Sequence, residues 1–306
     1  MWSSTWNIFS RRPSITWSDY VVGVARELAE RGIQVPSASL LICGDVPSGA
    51  GLSSSASLEV SVCQALLETA GEKIDGAGMA RLCQRAENEF VGARRGIMDQ
   101  FVSVYGRQDH ALLLDCRSLE YRHLPIPEEV RLVMCNTMVR HSVAGGEYNQ
   151  RRRECELAAD YFSELLPEVK ALRDVSVRDF EEHGGGLPEI IRKRCRHVIA
   201  ENARALSTQD VARFGQLMKE SHASLRDDFQ VSCRELDMLV ELGDRVQGAY
   251  GSRMTGRGFG GCTIHLVRRE SVGRLQAELT VGYEKATGIR AEIYVCTAAD
   301  GVRSLA

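Results

Sequence analysis

PSGAGLSSSASLEV, residues 47–60, sets a glycine-rich loop directly before a helical pattern carried by Leu58, Val62, Ala65 and Leu66. The apolar run SLLICGD, residues 39–45, precedes it and reads as a buried strand that breaks at Pro47, Gly49 and Gly51. A strand, glycine loop and helix in that order aim unpaired backbone N–H groups and the positive end of a helix dipole at an anion. The serine hydroxyls of the loop add donors or a metal ligand. No Gly-Lys-Ser/Thr follows, so this is not a Walker A loop, and neutralisation of a bound phosphate falls to Mg²⁺ and dipoles. The alternative is a capping role for Ser53, Ser54 and Ser55, since serine is a preferred N-cap residue.

Outward from that loop the chain alternates helical and strand patterns. Residues 18–32 carry Val21, Val22, Val24, Ala25 and Leu28 at helical spacing with Gly32 as a terminator, and residues 78–90 place Met79, Leu82, Cys83, Ala86 and Phe90 on one stripe. Residues 101–105, 111–115 and 131–136 hold branched and aromatic residues between the turn-like GRQD and PIPEE, and read as strands. Beyond residue 150, helices are expected over 189–206 and 210–225. The strand-like TIHLV (263–267) and AEIYVC (291–296) then flank a helix containing Leu275 and Leu279. GGG at 184–186 reads as a surface turn. The class is α+β, with a boundary near residue 130 that divides the chain into 1–130 and 131–306.

The 306 residues are 44% hydrophobic and 26% charged, ordinary values for a folded globular chain. Lys and Arg total 38 against 41 Asp and Glu, a net charge of −3, which supplies no basic field for nucleic acid or anionic lipid. No apolar run reaches the ~18 residues of a membrane helix. The ten cysteines include no CxxC pair and are expected to be reduced, mostly buried thiols of a cytoplasmic protein. The opening MWSSTWNIFSRRPSITW carries arginines and serines but no acid, a composition faintly like a transit peptide, though without an apolar helical face.

Two carboxylates stand out. Glu87 lies four residues from Cys83 and three from Phe90, beside an apolar stripe, and points either into a protected cleft or to solvent. Asp99 follows Gly96, Ile97 and Met98 and precedes an apolar segment, where it is either partly desolvated or a turn residue. The seven histidines form no HExxH pattern, and those at 141, 197 and 222 read as surface or hydrogen-bonding residues. TGRGFGG, 255–261, contains GxGxxG but leads into a strand, so it is a turn or a loop of close backbone approach and no dinucleotide fingerprint.

GDVPSGAGLSSSASLEV (44–60), RAENEFVGARRGIMDQFVSVYG (85–106), GGEYNQRRRECE (145–156), SHASLRDDF (221–229) and RMTGRGFGGCTIHLV (253–267) together resemble the GHMP sugar and metabolite kinases and, among them, the galactokinases. The resemblance runs from about Trp17 to the C terminus, with GIMDQ and EYN its most specific phrases. It implies a two-domain fold: a ribosomal protein S5 domain 2-like N-terminal ATP-binding domain over 1–130 and a ferredoxin-like C-terminal domain over 131–306. It implies a kinase that phosphorylates the anomeric hydroxyl of galactose from ATP with Mg²⁺, in the cytoplasm, with no nucleic-acid or membrane partner. Gly49, Gly51, Ser53, Ser54 and Ser55 would cradle the ATP phosphates, Ser55 and Glu87 would hold the metal, and Asp99 would be catalytic. Gly96, Asp99 and Tyr148 would contact the sugar, and the TGRGFGG loop would close over the site.

The chain departs from that pattern twice. The segment Gly-Arg-Val-Asn-Leu-Ile-Gly-Glu-His-Thr-Asp-Tyr, which in galactokinases supplies an arginine and sugar-binding side chains, is not found before Trp17, so the first domain reads as truncated at its start. Arg257 stands where similar proteins carry glycine: either its backbone is left-handed, at a cost of about 1–3 kcal/mol of strain, or its guanidinium reaches the nucleotide phosphates and replaces part of the lost charge. The other readings are a non-catalytic sugar or nucleotide sensor of this fold, an inactive truncated product, and a 1-kinase for another sugar such as N-acetylgalactosamine.

Overall fold

The computed structural model describes residue 13 and residues 16–47, 50–93, 95–140, 144–205 and 210–305. The arginine- and serine-bearing leader over 1–12, Gly49 and His141 lie outside the described residues. The chain divides into two compact units, one of Met1–Pro127 with Thr297–Ala306, the other of Glu128–Cys296.

In the first unit, α1 (Ser18–Glu30), α2 (Ser54–Ala70) and α3 (Gly76–Arg85) form because each carries an apolar stripe, and the three stripes meet. Val24 and Leu28 of α1, Val60, Cys63, Leu66 and Leu67 of α2, and Met79, Leu82 and Cys83 of α3 build its core. Gly32, at φ +82°, follows the end of α1 as expected. The third helix does not stop at α3: it passes into a π-helical turn, Ala86–Val91, whose wider backbone re-aims the side chains that follow.

Residues 101–105, expected as a strand, lie in α4 (Met98–Tyr105). The branched Val102 and Val104 suggested a strand, but Ile97, Phe101, Val104 and Tyr105 fall at helical spacing and pack against Ala80 of α3 and Leu112 and Leu114, so tertiary burial decides. The strands β1 (His110–Leu114) and β2 (Tyr121–Pro125) pair antiparallel, and Phe101 and Tyr121 meet edge to face at 5.4 Å.

SLLICGD is the larger correction. Residues 39–45 form no strand and are exposed, Leu41 at 98%. A strand requires a hydrogen-bonded neighbour, and among the described residues β1 and β2 pair only with each other.

The second unit is built on an antiparallel sheet in the order β4-β5-β3-β6, from β3 (Val130–Arg140), β4 (Ala249–Met254), β5 (Gly260–Arg268) and β6 (Glu292–Cys296). β3 is central, pairing Cys135 with Thr263 on one side and with Ile293 on the other. Val133, Cys135 and Val267 pack against Leu239 and Leu242 of α9 (Arg234–Asp244) and Leu275, Leu279 and Tyr283 of α10 (Val272–Thr287). A second core joins Ala158 and Phe162 of α5 (Ala144–Leu165) to Cys195 and Ile199 of α7 (Glu189–Ala205). Between them lie α6 (Val177–His183) and the 3₁₀ turn Gly184–Gly186, the latter in place of a simple surface turn, with Gly184 buried.

The helix α8 (Val211–Ser224) crosses β4 so closely that a Cβ on Gly251 would lie 2.0 Å from the carbonyl oxygen of Gly215, which admits only glycine on the strand. Mixed helices and antiparallel sheets confirm the α+β class. The thiols depart from expectation in part: Cys63, Cys83, Cys135, Cys195 and Cys262 are buried, whereas Cys43 and Cys116 are exposed, and all ten are free. Burial pushes the Cys135 thiol up to about 12, which leaves it inert.

Candidate functional site

The loop that opens α2 carries two left-handed residues in its described part, Gly51 at φ +77° and Ser53 at φ +58°. A non-glycine residue in that region is strained and persists where its surroundings demand it. Ser53 occupies the N-cap position yet its side chain makes no capping hydrogen bond, so the reading of the serines as ordinary caps fails. A Cβ on Gly51 would meet nothing within 4 Å, which leaves open space over the loop.

Ser55, in the first turn of α2, turns inward. Its hydroxyl donates to Glu87 Oε1 at 3.0 Å, joining positions 32 apart in sequence. Glu87 is fully buried, on the π-helical turn after α3, so the protected-cleft reading holds and the solvated one does not. A helix that continued regularly would present a different face here. The wider turn sets the carboxylate against α2.

Three further residues complete the cluster, and none was singled out in the sequence. The Arg95 guanidinium approaches Glu87 Oε1 through Nε at 3.2 Å and donates from Nη1 to Ser55 Oγ at 3.2 Å. Its backbone is held by Asn88, which accepts from the Arg95 N–H and donates to the Arg95 carbonyl, and by Gln84 Nε2, which donates to that carbonyl at 3.0 Å. Gln100, buried in α4, donates from Nε2 to Glu87 Oε2 at 2.7 Å and to Glu59 Oε2 at 3.0 Å, so one amide separates two carboxyls. Glu59 is fully buried in α2, and burial, reinforced by the charge of Glu87, pushes its carboxyl up to about 9 against the partial relief of Gln100 and Arg95. It is therefore a neutral acid at pH 7.

One signal could have found Glu59: counted from Ser55, positions 55, 59, 62 and 66 share a helical stripe with the buried Val62 and Leu66. Arg95 has no periodicity to betray it, because it reaches the cluster from a loop. Glu59 Oε1, Gln100 Oε1 and Arg95 Nε are buried without a hydrogen-bond partner, so the cluster is not closed on itself.

Asp99 lies in the first turn of α4, next to Gln100, half-buried, and its negative charge is among those that raise Glu59. Gly96 is exposed, and a Cβ there would meet nothing. Ser54 starts α2. Tyr148 falls within α5 in the second unit, but its side chain lies outside the described residues, as does Gly49.

The TGRGFGG segment links β4 to β5 within the second unit. Its left-handed residues are Gly256, Gly258, Phe259, Gly260 and Gly261; Arg257 is not among them, so the condition for strain there is not met, and its side chain is exposed. Gly258 is the demanding position: a Cβ there would lie 2.1 Å from the Val231 carbonyl oxygen, which also accepts the Phe259 N–H at 2.8 Å. The histidines at 197 and 222 are buried hydrogen-bonding residues, His197 against Ser224 and His222 between Asp237 and the Met254 N–H.

Ser55 Oγ and Glu87 Oε1 are hard oxygen donors of the kind magnesium takes. Among the described residues no cluster of three His, Cys, Asp or Glu side chains could hold a metal on its own. The pair fits an ion that draws its remaining ligands from phosphate and water. No helix among the described residues is long and apolar enough to cross a membrane.

Comparison with known proteins sets this geometry in context. Residues 19–107 match the GHMP kinases N terminal domain and residues 201–284 the GHMP kinases C terminal domain. A galactokinase from Roseiflexus sp. (strain RS-1) is 48% identical over 297 residues, covering 95% of this chain and 76% of the relative. One from Chloroflexus aggregans is 48% identical over 292 residues, covering 94% and 75%. The crystal structure of Lactococcus lactis galactokinase complexed with galactose superposes with a TM-score of 0.93 at 33% identity, over 98% of this chain and 79% of that one. A mevalonate kinase structure, at 20% identity and a TM-score of 0.61, shares the fold.

Proposed function

The chain belongs to the GHMP kinases and, within them, to the galactokinases, and on that premise we propose that it transfers the γ-phosphoryl group of ATP to the anomeric hydroxyl of galactose. The observation that carries the reading is the Ser55–Glu87 hydrogen bond beside the strained glycine loop, with Asp99 adjoining Gln100 of the same cluster.

The N–H groups at the start of α2, with Gly49, Gly51, Ser53 and Ser54, would bind the phosphates, and the helix dipole favours their charge. Ser55 and Glu87 would hold magnesium, which when bound supplies neutralisation of the phosphate oxygens. Asp99 would accept the proton of the sugar's anomeric hydroxyl as that oxygen bonds to the γ-phosphorus, the bond from phosphorus to the β-bridging oxygen breaks and ADP leaves. Gly96, without a side chain, would let the sugar approach the backbone. The assignment of Tyr148 to the sugar rests on the resemblance alone.

ATP binding falls to the domain over 1–130, with 131–306 as the C-terminal GHMP domain, save that Thr297–Ala306 belong to the first compact unit. The reaction takes place in the cytoplasm, a location that ten free thiols favour.

The test is ADP release by the purified chain with Mg²⁺ and galactose, against a no-sugar control, with N-acetylgalactosamine and arabinose as competing substrates. Galactose-dependent release is expected, and Asp99→Asn should lower it about 10²–10⁴-fold with an unchanged melting temperature. Release that is independent of sugar, or indifferent to Asp99, overturns the reading.

A further inference from the structure

Arg95 sits where a divalent ion would be placed. Its guanidinium touches both oxygens assigned to magnesium, Glu87 Oε1 at 3.2 Å and Ser55 Oγ at 3.2 Å. A metal ion and a guanidinium compete for the same lone pairs and repel one another, so both cannot hold Glu87 Oε1. Two features equip Arg95 to move. Its backbone is anchored by Asn88 and Gln84, independently of its side chain. Its guanidinium, 24% exposed, has five N–H donors, of which Nη1 is hydrogen-bonded to Ser55 and Nε is buried without a hydrogen-bond partner. Those donors lie beside Ser55, in the first turn of the helix whose N-terminus faces the glycine loop. Phosphate oxygens suit a guanidinium fork.

We propose that Arg95 is an exchangeable cation of the nucleotide site: at rest it pairs with Glu87 and Ser55, it supplies positive charge to the nucleotide phosphates while no divalent ion is bound, and the ion takes over both places when it binds. This rests on the reading of Ser55 and Glu87 as the metal pair. In consequence, Arg95 and the metal ion are partly redundant toward the phosphates, and neither contributes its full effect while the other is present.

The experiment is calorimetric binding of ADP in EDTA and in excess Mg²⁺, to the wild-type chain, Arg95→Met and Glu87→Gln. Loss of a charge-assisted hydrogen bond predicts about tenfold weaker binding of metal-free ADP to Arg95→Met. With Mg²⁺ the loss should shrink to about twofold or less. Equal losses under the two conditions, or no loss in EDTA, overturn the proposal. Glu87→Gln should weaken ADP binding with Mg²⁺ only. If it has no effect there, the metal reading of Glu87 fails, and the exchange proposed for Arg95 fails with it, whereas failure in the Arg95 arm alone leaves that reading intact. Because Arg95→Met leaves Glu87 buried without its cation, the double variant Arg95→Met/Glu87→Gln removes the pair together. Its metal-free ADP binding should match that of Arg95→Met, and wild-type affinity in EDTA counts against the proposal.

Discussion

Two carboxylates are sunk against arginines, one in each unit, and their surroundings are finished differently. Glu154 of α5 accepts from Arg194 Nε at 2.7 Å, Arg151 Nη1 at 3.1 Å and Gln150 Nε2 at 3.0 Å. Arg194 is itself 2% exposed and spends its other donors on the Asp228 carbonyl and Gln230 Oε1. Burial raises the Glu154 carboxyl, but the hydrogen bond from Arg194 and the charges of Arg151 and Arg194 outweigh it and hold the group below its usual range. Around Glu87, by contrast, Glu59 Oε1, Gln100 Oε1 and Arg95 Nε lack hydrogen-bond partners. The first cluster closes its valences and ties α5 to α7. The second leaves them open next to a strained loop, the condition of a site built for something to arrive.

Four substitutions test that contrast. The largest effect is expected at Arg194→Met, which strands Glu154 and should cost about 3–5 kcal/mol in urea unfolding. A cost near zero would remove the structural reading of that cluster. Next, the two clusters should respond to pH with opposite sign.

Glu59, at about 9 in the folded chain against 4.5 when unfolded, holds a proton that unfolding releases, so its contribution to stability falls as pH rises across that interval. The slope reaches at most about 1.4 kcal/mol per pH unit. Glu59→Gln should flatten it, as read from melting temperatures between pH 6 and 8, the variant gaining on the wild type as pH rises. Glu154, held below 4.5, contributes stability above that value and loses it as pH falls through its folded pKa, so Glu154→Gln changes only the acid limb. A Glu59 variant that parallels the wild type through neutral pH would place an ionised carboxylate there. The smallest effect belongs to Leu41, 98% exposed and outside both clusters, where Leu41→Ser should stay within about 0.5 kcal/mol in the same unfolding assay.

The differences in legibility follow the same physics. Periodicity located α1, α2, α3, α7, α8, α10, β1, β3, β5 and β6, because each carries its apolar stripe or branched residues in an unbroken local pattern. It failed at residues 101–105, where strand-forming valines lie on a helix that buries Phe101, and at SLLICGD, where an apolar run has no strand to pair with among the described residues. Glu87 and Ser55 were marked by motif, yet their hydrogen bond spans 32 positions and depends on a π-helical turn that no local pattern announced.

The α+β class, the glycine loop before α2 and the kinship carried by the motifs were readable from local residue patterns, since these depend on residue types at short spacing. The burial of Glu59, the placing of Gln100 between two carboxyls, the left-handed conformations on both sides of Arg257 but not at it, and the reach of Arg95 to Ser55 and Glu87 came from long-range packing. Each of those outcomes is settled by which chain segments come within hydrogen-bond distance after folding, and that is a property of no single stretch of sequence.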